Sequence, residues 1–166
     1  MVLLKDGAPI TDDWLDTSTT DAVLETDKSS VIYTLEDWQE RRDELSKRNG
    51  PNAIILPNDV LPDVIAGDLD NLSMVVVIVP TFKDGRAYSQ VRRLRERLGF
   101  KGDIRVTGDV LVDQFAAFHR LGANILDLKK DKEAALWSSI VGEVSNSYQH
   151  AIMDKDQNIP RQRQKP

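Results

Sequence analysis

Apolar runs alternate with amphipathic stretches along most of the chain. The longest run, Met74-Val-Val-Val-Ile-Val79, is rich in β-branched residues and is closed by Pro80. Such a run, without alternation, suits a strand buried on both faces of a parallel sheet. A loop, Thr81-Phe-Lys-Asp-Gly85, follows it. The pattern then turns helical, with Ala87, Val91, Leu94 and Leu98 on one apolar face. Gly99 and Gly102 end that helix, and Asp103-Ile-Arg-Val-Thr107 reads as a strand. Three more strands are expected at Val31–Thr34, Ala53–Leu56 and Asn124–Leu128. Helices are expected over 35–48, 60–69, 109–121 and 131–150, the first capped by Thr34 and the second limited by Pro62.

The opening residues predict a hairpin, because Asp6-Gly7 is a strong turn pair between two short apolar segments. Asp12-Asp13-Trp14 follows, the Thr/Ser/Asp-rich run from Asp16 to Ser30 reads as loop, and 154–166 reads as a disordered or loosely attached tail. The fold class is therefore α/β, in one domain over 1–153. A parallel sheet of about five strands carries helices on its faces behind the small hairpin. An open three-layer sheet is the preferred closure. The alternative is a partial (β/α)-barrel, which needs a dimer or the hairpin to cover it.

Composition narrows the function classes. At 166 residues the chain suits one well-cored domain, and no apolar segment approaches transmembrane length. Absent cysteine excludes thiolate catalysis and cysteine-ligated clusters, and it fits a cytoplasmic location. The net charge of −5 hides an asymmetry, with 6 Lys/Arg against 16 Asp/Glu in residues 1–70 but 8 against 3 in 83–105. An overall acidic chain without base-stacking aromatics is not a nucleic-acid binder. The two histidines, His119 and His150, are far apart, and no clustered ligand set suggests a metal.

Candidate chemistry gathers where two predicted strands end. Ligands of parallel sheets bind outside the carboxyl ends of strands, which here means the loop 81–86 and Thr107-Gly108-Asp109. Arg86, Arg93 and Arg97 form one stripe on their helix, and Arg86 with the Ser89 hydroxyl could clasp a small oxyanion. Equally, Asp84 can cap the helix, with Arg86 pairing to Asp109 or Asp113. Arg105 lies inside a strand, on the face it shares with Thr107, and calls for a partner such as Asp84, Asp109 or Asp113. Asp113 follows Asp109 by one helical turn, so both carboxylates are expected on one side.

Phe82, Asp84-Gly85-Arg86, Ser89, Leu94-Arg95, Gly99, Gly102, Arg105, Gly108-Asp109, Leu111, Asp113-Gln114, Arg120 and Gly122 fall in the order and spacing of a bacterial family. The chain resembles the domain-of-unknown-function 934 family, often labelled oxidoreductase, whose genes commonly lie beside those for sulfite reductase. Val79, Val106 and Ala123 depart from the family pattern by apolar replacement. The resemblance implies a role in assimilatory sulfate or sulfite reduction. It draws Asp84, Gly85, Arg86, Ser89, Arg95, Arg105, Gly108, Asp109, Asp113 and Gln114 into the anion- or partner-binding set. No thiol and no nucleotide fingerprint supports redox chemistry by the chain itself, so an accessory protein binding sulfite reductase or a small oxyanion is expected first. An oxidoreductase with an unrecognised site and cofactor is the alternative.

Overall fold

The computed structural model describes residues 2–17 and 29–128. The predicted final helix over 131–150, most of the polar run before Ser30 and the tail lie outside the described residues. So do Trp137, Tyr148-Gln149 and His150.

Among the described residues eight strands form one sheet: β1 (Val2–Lys5), β2 (Ala8–Ile10), β3 (Trp14–Asp16), β4 (Ser30–Thr34), β5 (Asn52–Leu56), β6 (Met74–Val79), β7 (Asp103–Gly108) and β8 (Ile125–Leu128). Their order is β2-β1-β8-β7-β6-β5-β4-β3, so the expected five parallel strands are joined by three more. The predicted hairpin does not stand apart from the sheet, because β1 pairs antiparallel with β8 as well as with β2. Trp14 opens β3, which pairs in parallel with β4 and takes in Asp16, the first residue of the expected loop. The three-residue β3 was too short to show a period in the sequence.

From β3 to β8 each strand adds beside the one before it and the order never reverses. A right-handed crossover repeated in one direction lays every helix on the same face. Accordingly, α1 (Leu35–Glu40), α2 (Arg42–Leu45), α3 (Arg86–Arg92) and α4 (Val112–Arg120) share one face of the sheet. Trp38, Leu45, Ala87, Val91, Leu94 and Phe118 pack there against Val31, Ile54, Val75, Val77, Ile104 and Val106. The opposite face carries a smaller cluster of Leu3, Ile32, Ala53, Met74, Val76 and Ile125, with Trp14 and Ile55 beside it. Among the described residues no helix covers that face, unlike the preferred three-layer arrangement.

The sheet is curled. Strands β2 and β3 are its opposite edges, which in a flat sheet would lie about 33 Å apart. Only Thr11, Asp12 and Asp13 join them, and from Ile10 to Trp14 an extended chain reaches about 14 Å. The sheet therefore bends into a partial barrel with the smaller cluster inside.

Thr34 caps α1 as its sequence predicts, its Oγ1 accepting the Asp37 N–H at 3.1 Å. The helix breaks at Arg41 and resumes as α2, with Trp38 and Leu45 both buried. The stretch 60–69 makes only two short 3₁₀ turns, Pro62–Ile65 and Leu69–Asn71, instead of the expected helix. Pro62 and Gly67 both weaken helical propagation there. Helix α3 continues into a π turn, Arg93–Arg97.

Candidate functional site

Two regions gather polar residues around β6 and β7. The first is the loop 80–85. Its shape begins at Gly108, whose φ of +105° puts an imagined Cβ 2.3 Å from the Val79 carbonyl oxygen. Only glycine permits this approach. The turn delivers the Asp109 N–H to that same oxygen at 2.7 Å. The Asp109 carboxylate then accepts the Phe82 N–H at 3.2 Å, and Gln114 Nε2 donates to the Phe82 carbonyl at 2.7 Å. Gln114 Oε1 also accepts the Leu111 N–H. Asp109 thus lies before α4, not in its first turn, so the expected side-by-side carboxylates Asp109 and Asp113 do not form. Asp113 is exposed and accepts the Gln114 N–H.

Both backbone polar groups of Phe82 are held, yet the residue is 45% exposed, with Lys83 Nζ 5.5 Å from the ring centre. Leu111 is 44% exposed. Phe118 is buried and stacks on Tyr88; the side chain of Phe115 lies outside the described set.

Asp84, one residue before the Gly85 N-cap of α3, binds both the backbone and the side chain of Arg86. Its Oδ1 accepts the Arg86 N–H at 3.1 Å, and its carboxylate receives Arg86 Nη2 at 2.7 Å and Nε at 3.1 and 3.2 Å. Arg86 therefore pairs with its near neighbour and not with Asp109 or Asp113. These bonds hold the Asp84 carboxyl below the usual carboxylate range. Gly85 supplies the helix start in open space. Arg86, Ser89, Arg93 and Arg97 do share one cleft of about 370 Å³, closed on its far side by Asn58 and Leu61. Gln90 fixes that wall by donating to the carbonyls of Pro57 and Val60 at 2.7 and 2.8 Å. Arg93 pairs with Asp63.

Arg95 has a purely architectural place. It donates to the carbonyls of Gly122, Phe100 and Gly102 at 2.9, 2.6 and 2.7 Å. Burial lowers its pKa. Gly122, with φ +103°, has no room for a Cβ beside the Arg95 side chain.

The second region is the inner face. Arg105, 7% exposed, extends its Nη2 to Asp12 at 2.8 Å and to Asp127 at 3.0 Å. Asp84, Asp109 and Asp113 are not its partners, because β7 alternation turns Arg105 inward, while Asp84 and Asp109 belong to the strand-end loops and Asp113 to α4 on the other face. Thr107 donates to the same Asp127 oxygen at 3.1 Å. Burial works to lower the Arg105 pKa, but the bonds to Asp12 and Asp127 outweigh it and the net shift is upward. Arg105 Nε and Nη1 meet no acceptor among the described residues. A cavity of about 480 Å³ adjoins this cluster, walled by Trp14, Ile55, Val76 and Ile78. Ile78, Thr107 and Asp127 are the penultimate residues of β6, β7 and β8, so the cavity reaches the carboxyl ends of the strands.

Sequence reasoning missed Asp12 and Asp127. Asp127 left a signal, a lone carboxylate inside the last apolar strand, whereas nothing marked Asp12 out from its acidic neighbours. Among the described residues no group of three His, Cys, Asp or Glu side chains could hold a metal ion, and no helix is long and apolar enough to cross a membrane.

With this geometry in place, the chain belongs to the family described as bacterial protein of unknown function (DUF934), whose model matches residues 53–159. That span takes in the loop 80–85, the arginine cleft and Arg105. None of the curated proteins matches the chain.

Proposed function

We propose that this family member is an accessory protein that docks on a larger enzyme through the loop after β6. The observation that carries this reading is the presentation of Phe82. An aromatic residue 45% exposed sits on backbone whose N–H and carbonyl are both bound by side chains of a different segment. Rigid, exposed aromatics lose little entropy on burial and dominate interface energies. Leu111 extends the apolar tip, while Lys83 and Arg86 flank it. The fitting partner surface offers an apolar pocket with a carboxylate at its rim.

The resemblance suggests a redox enzyme of sulfate assimilation as that partner, with sulfite reductase the first to try. The test compares its binding to wild type and to Phe82→Ala. Loss of a central anchor should weaken binding by about 2 kcal/mol, roughly thirtyfold. The melting temperature should hardly change, because a half-exposed ring contributes little to stability. Equal affinity of Phe82→Ala and wild type for the captured enzyme would overturn the docking site.

A small oxyanion in the arginine cleft is a second reading, favoured by the convergence of Arg86, Arg93 and Arg97. Arg86 and Arg93 are already closed on Asp84 and Asp63, so binding would have to compete with those pairs. Stabilisation by millimolar sulfite or sulfate that disappears in Arg97→Ala would support it. A visible absorption band in the purified protein would instead favour the oxidoreductase alternative.

A further inference from the structure

The inner cavity is separate from both the docking loop and the arginine cleft. Its volume, about 480 Å³, is room for one small organic molecule. Arg105 lines it and is 7% exposed. Its Nη2 meets Asp12 at 2.8 Å and Asp127 at 3.0 Å, while Nε and Nη1 find no acceptor among the described residues. A guanidinium offers its N–H groups in parallel pairs, Nε with Nη2 along one edge and Nη1 with Nη2 at the end. Arg86 closes the first of these pairs on Asp84. At Arg105, whichever pair Asp12 sits on, the N–H beside its own is idle. Idle donors on a buried charge are costly.

The two carboxylates are held unequally. Asp127 has a side chain 8% exposed and also accepts the Thr107 hydroxyl at 3.1 Å. Asp12 has a side chain 39% exposed and lies in the three-residue link between β2 and β3. Its other bond, from the Trp14 N–H at 3.3 Å, is local and does not depend on Arg105. Asp12 can therefore return to water at little cost. Trp14, Ile55, Val76 and Ile78 supply an apolar wall to the same cavity.

We infer that this cavity binds a small carboxylic acid with an apolar tail, whose carboxylate takes the place of Asp12 on Arg105. The ligand closes two parallel N–H groups where Asp12 closes one. Asp127 keeps its bond, and the tail lies against the apolar wall. One carboxylate leaves the guanidinium as another arrives, so the exchange adds no net charge there, whatever else lines the space. Asp12 is then an internal competitor, and the link that carries it is the strap that ligand binding releases.

The test measures the melting temperature of the full chain, near neutral pH and in low salt, with acetate, butanoate, hexanoate, benzoate or phenylacetate. At about 10 mM at least one tailed acid should raise it by more than about 1 °C, and acetate should not. The best acid is then compared by calorimetry with its primary amide, which should bind at least about tenfold weaker because it forgoes the charge-assisted pair. Asp12→Ala should bind that acid about twofold to fivefold tighter, since the exposed competitor no longer has to be displaced. Ile78→Trp, which fills the cavity from the strand end, should abolish binding while leaving the circular dichroism spectrum unchanged. In Arg105→Met/Asp127→Leu the acid should lose its advantage over the amide. The inference is overturned if no tailed acid raises the melting temperature, or if acetate or the amide binds as tightly. It is equally overturned if Asp12→Ala binds no more tightly than wild type, or if Ile78→Trp or the double variant binds as wild type does.

Discussion

Truncating Arg105 separates the two carboxylates that share it. Asp127 has a side chain only 8% exposed, so in Arg105→Ala it keeps the Thr107 hydroxyl and loses its counter-charge inside the barrel. Removing one partner of a buried pair costs about 3–5 kcal/mol. Asp12 is different, because its side chain is 39% exposed and returns to water when the guanidinium goes. Exposed pairs contribute about 0–1 kcal/mol, so Asp12→Ala should lose no more than that. Nearly all of the Arg105→Ala penalty is therefore assigned to Asp127. At a chain length of 166 residues, the loss corresponds to a fall in melting temperature of roughly 6–20 °C. The double variant Arg105→Met/Asp127→Leu, which replaces the pair by apolar side chains of similar reach, should recover most of it. Urea unfolding of the four proteins at one pH gives the comparison. A loss below about 1 kcal/mol in Arg105→Ala, or an equal loss in Asp12→Ala, would refute the reasoning. Arginine stays charged over the accessible range, so the upward Arg105 shift adds no pH dependence near neutrality.

Two smaller perturbations test the first region. Gly108→Ala must either abandon φ +105° or press its methyl group on the Val79 carbonyl, and should cost more than about 1–3 kcal/mol; denaturant unfolding within 0.5 kcal/mol of wild type would contradict that. Asp84 and Asp63, held below the usual range by Arg86 and Arg93, contribute stability that is present above the unfolded carboxyl value of about 4 and lost as pH falls through their lower folded values. In Arg86→Ala the Asp84 carboxyl should titrate higher by NMR while Asp63 stays put, and an unmoved Asp84 would show that the pair does not form in solution.

The strands and the inward stripe of α3 were legible in the chain because each rests on local pattern. Met74–Val79 is apolar at every position and lies buried in the sheet, and Ala87, Val91 and Leu94 are fully buried at the predicted spacing. Alternation alone placed Arg105 and Thr107 on one face and Ile104 and Val106 on the other. The Thr34 cap and the Asp84 bond to the Arg86 N–H were readable for the same reason, since donor and acceptor lie within three residues. What no local pattern carries is which strand lies beside which. The unreversed order of β3 to β8, and the three-residue link from β2 to β3, put the described helices outside and curl the sheet. That curl brings Asp12, from the amino end of the chain, onto Arg105 of β7 and sets both beside Asp127 of β8. A buried guanidinium demands a counter-charge, and the sequence announces that demand. Several carboxylates at comparable cost could meet it, and only the closure of the sheet decides which of them comes within 3.0 Å.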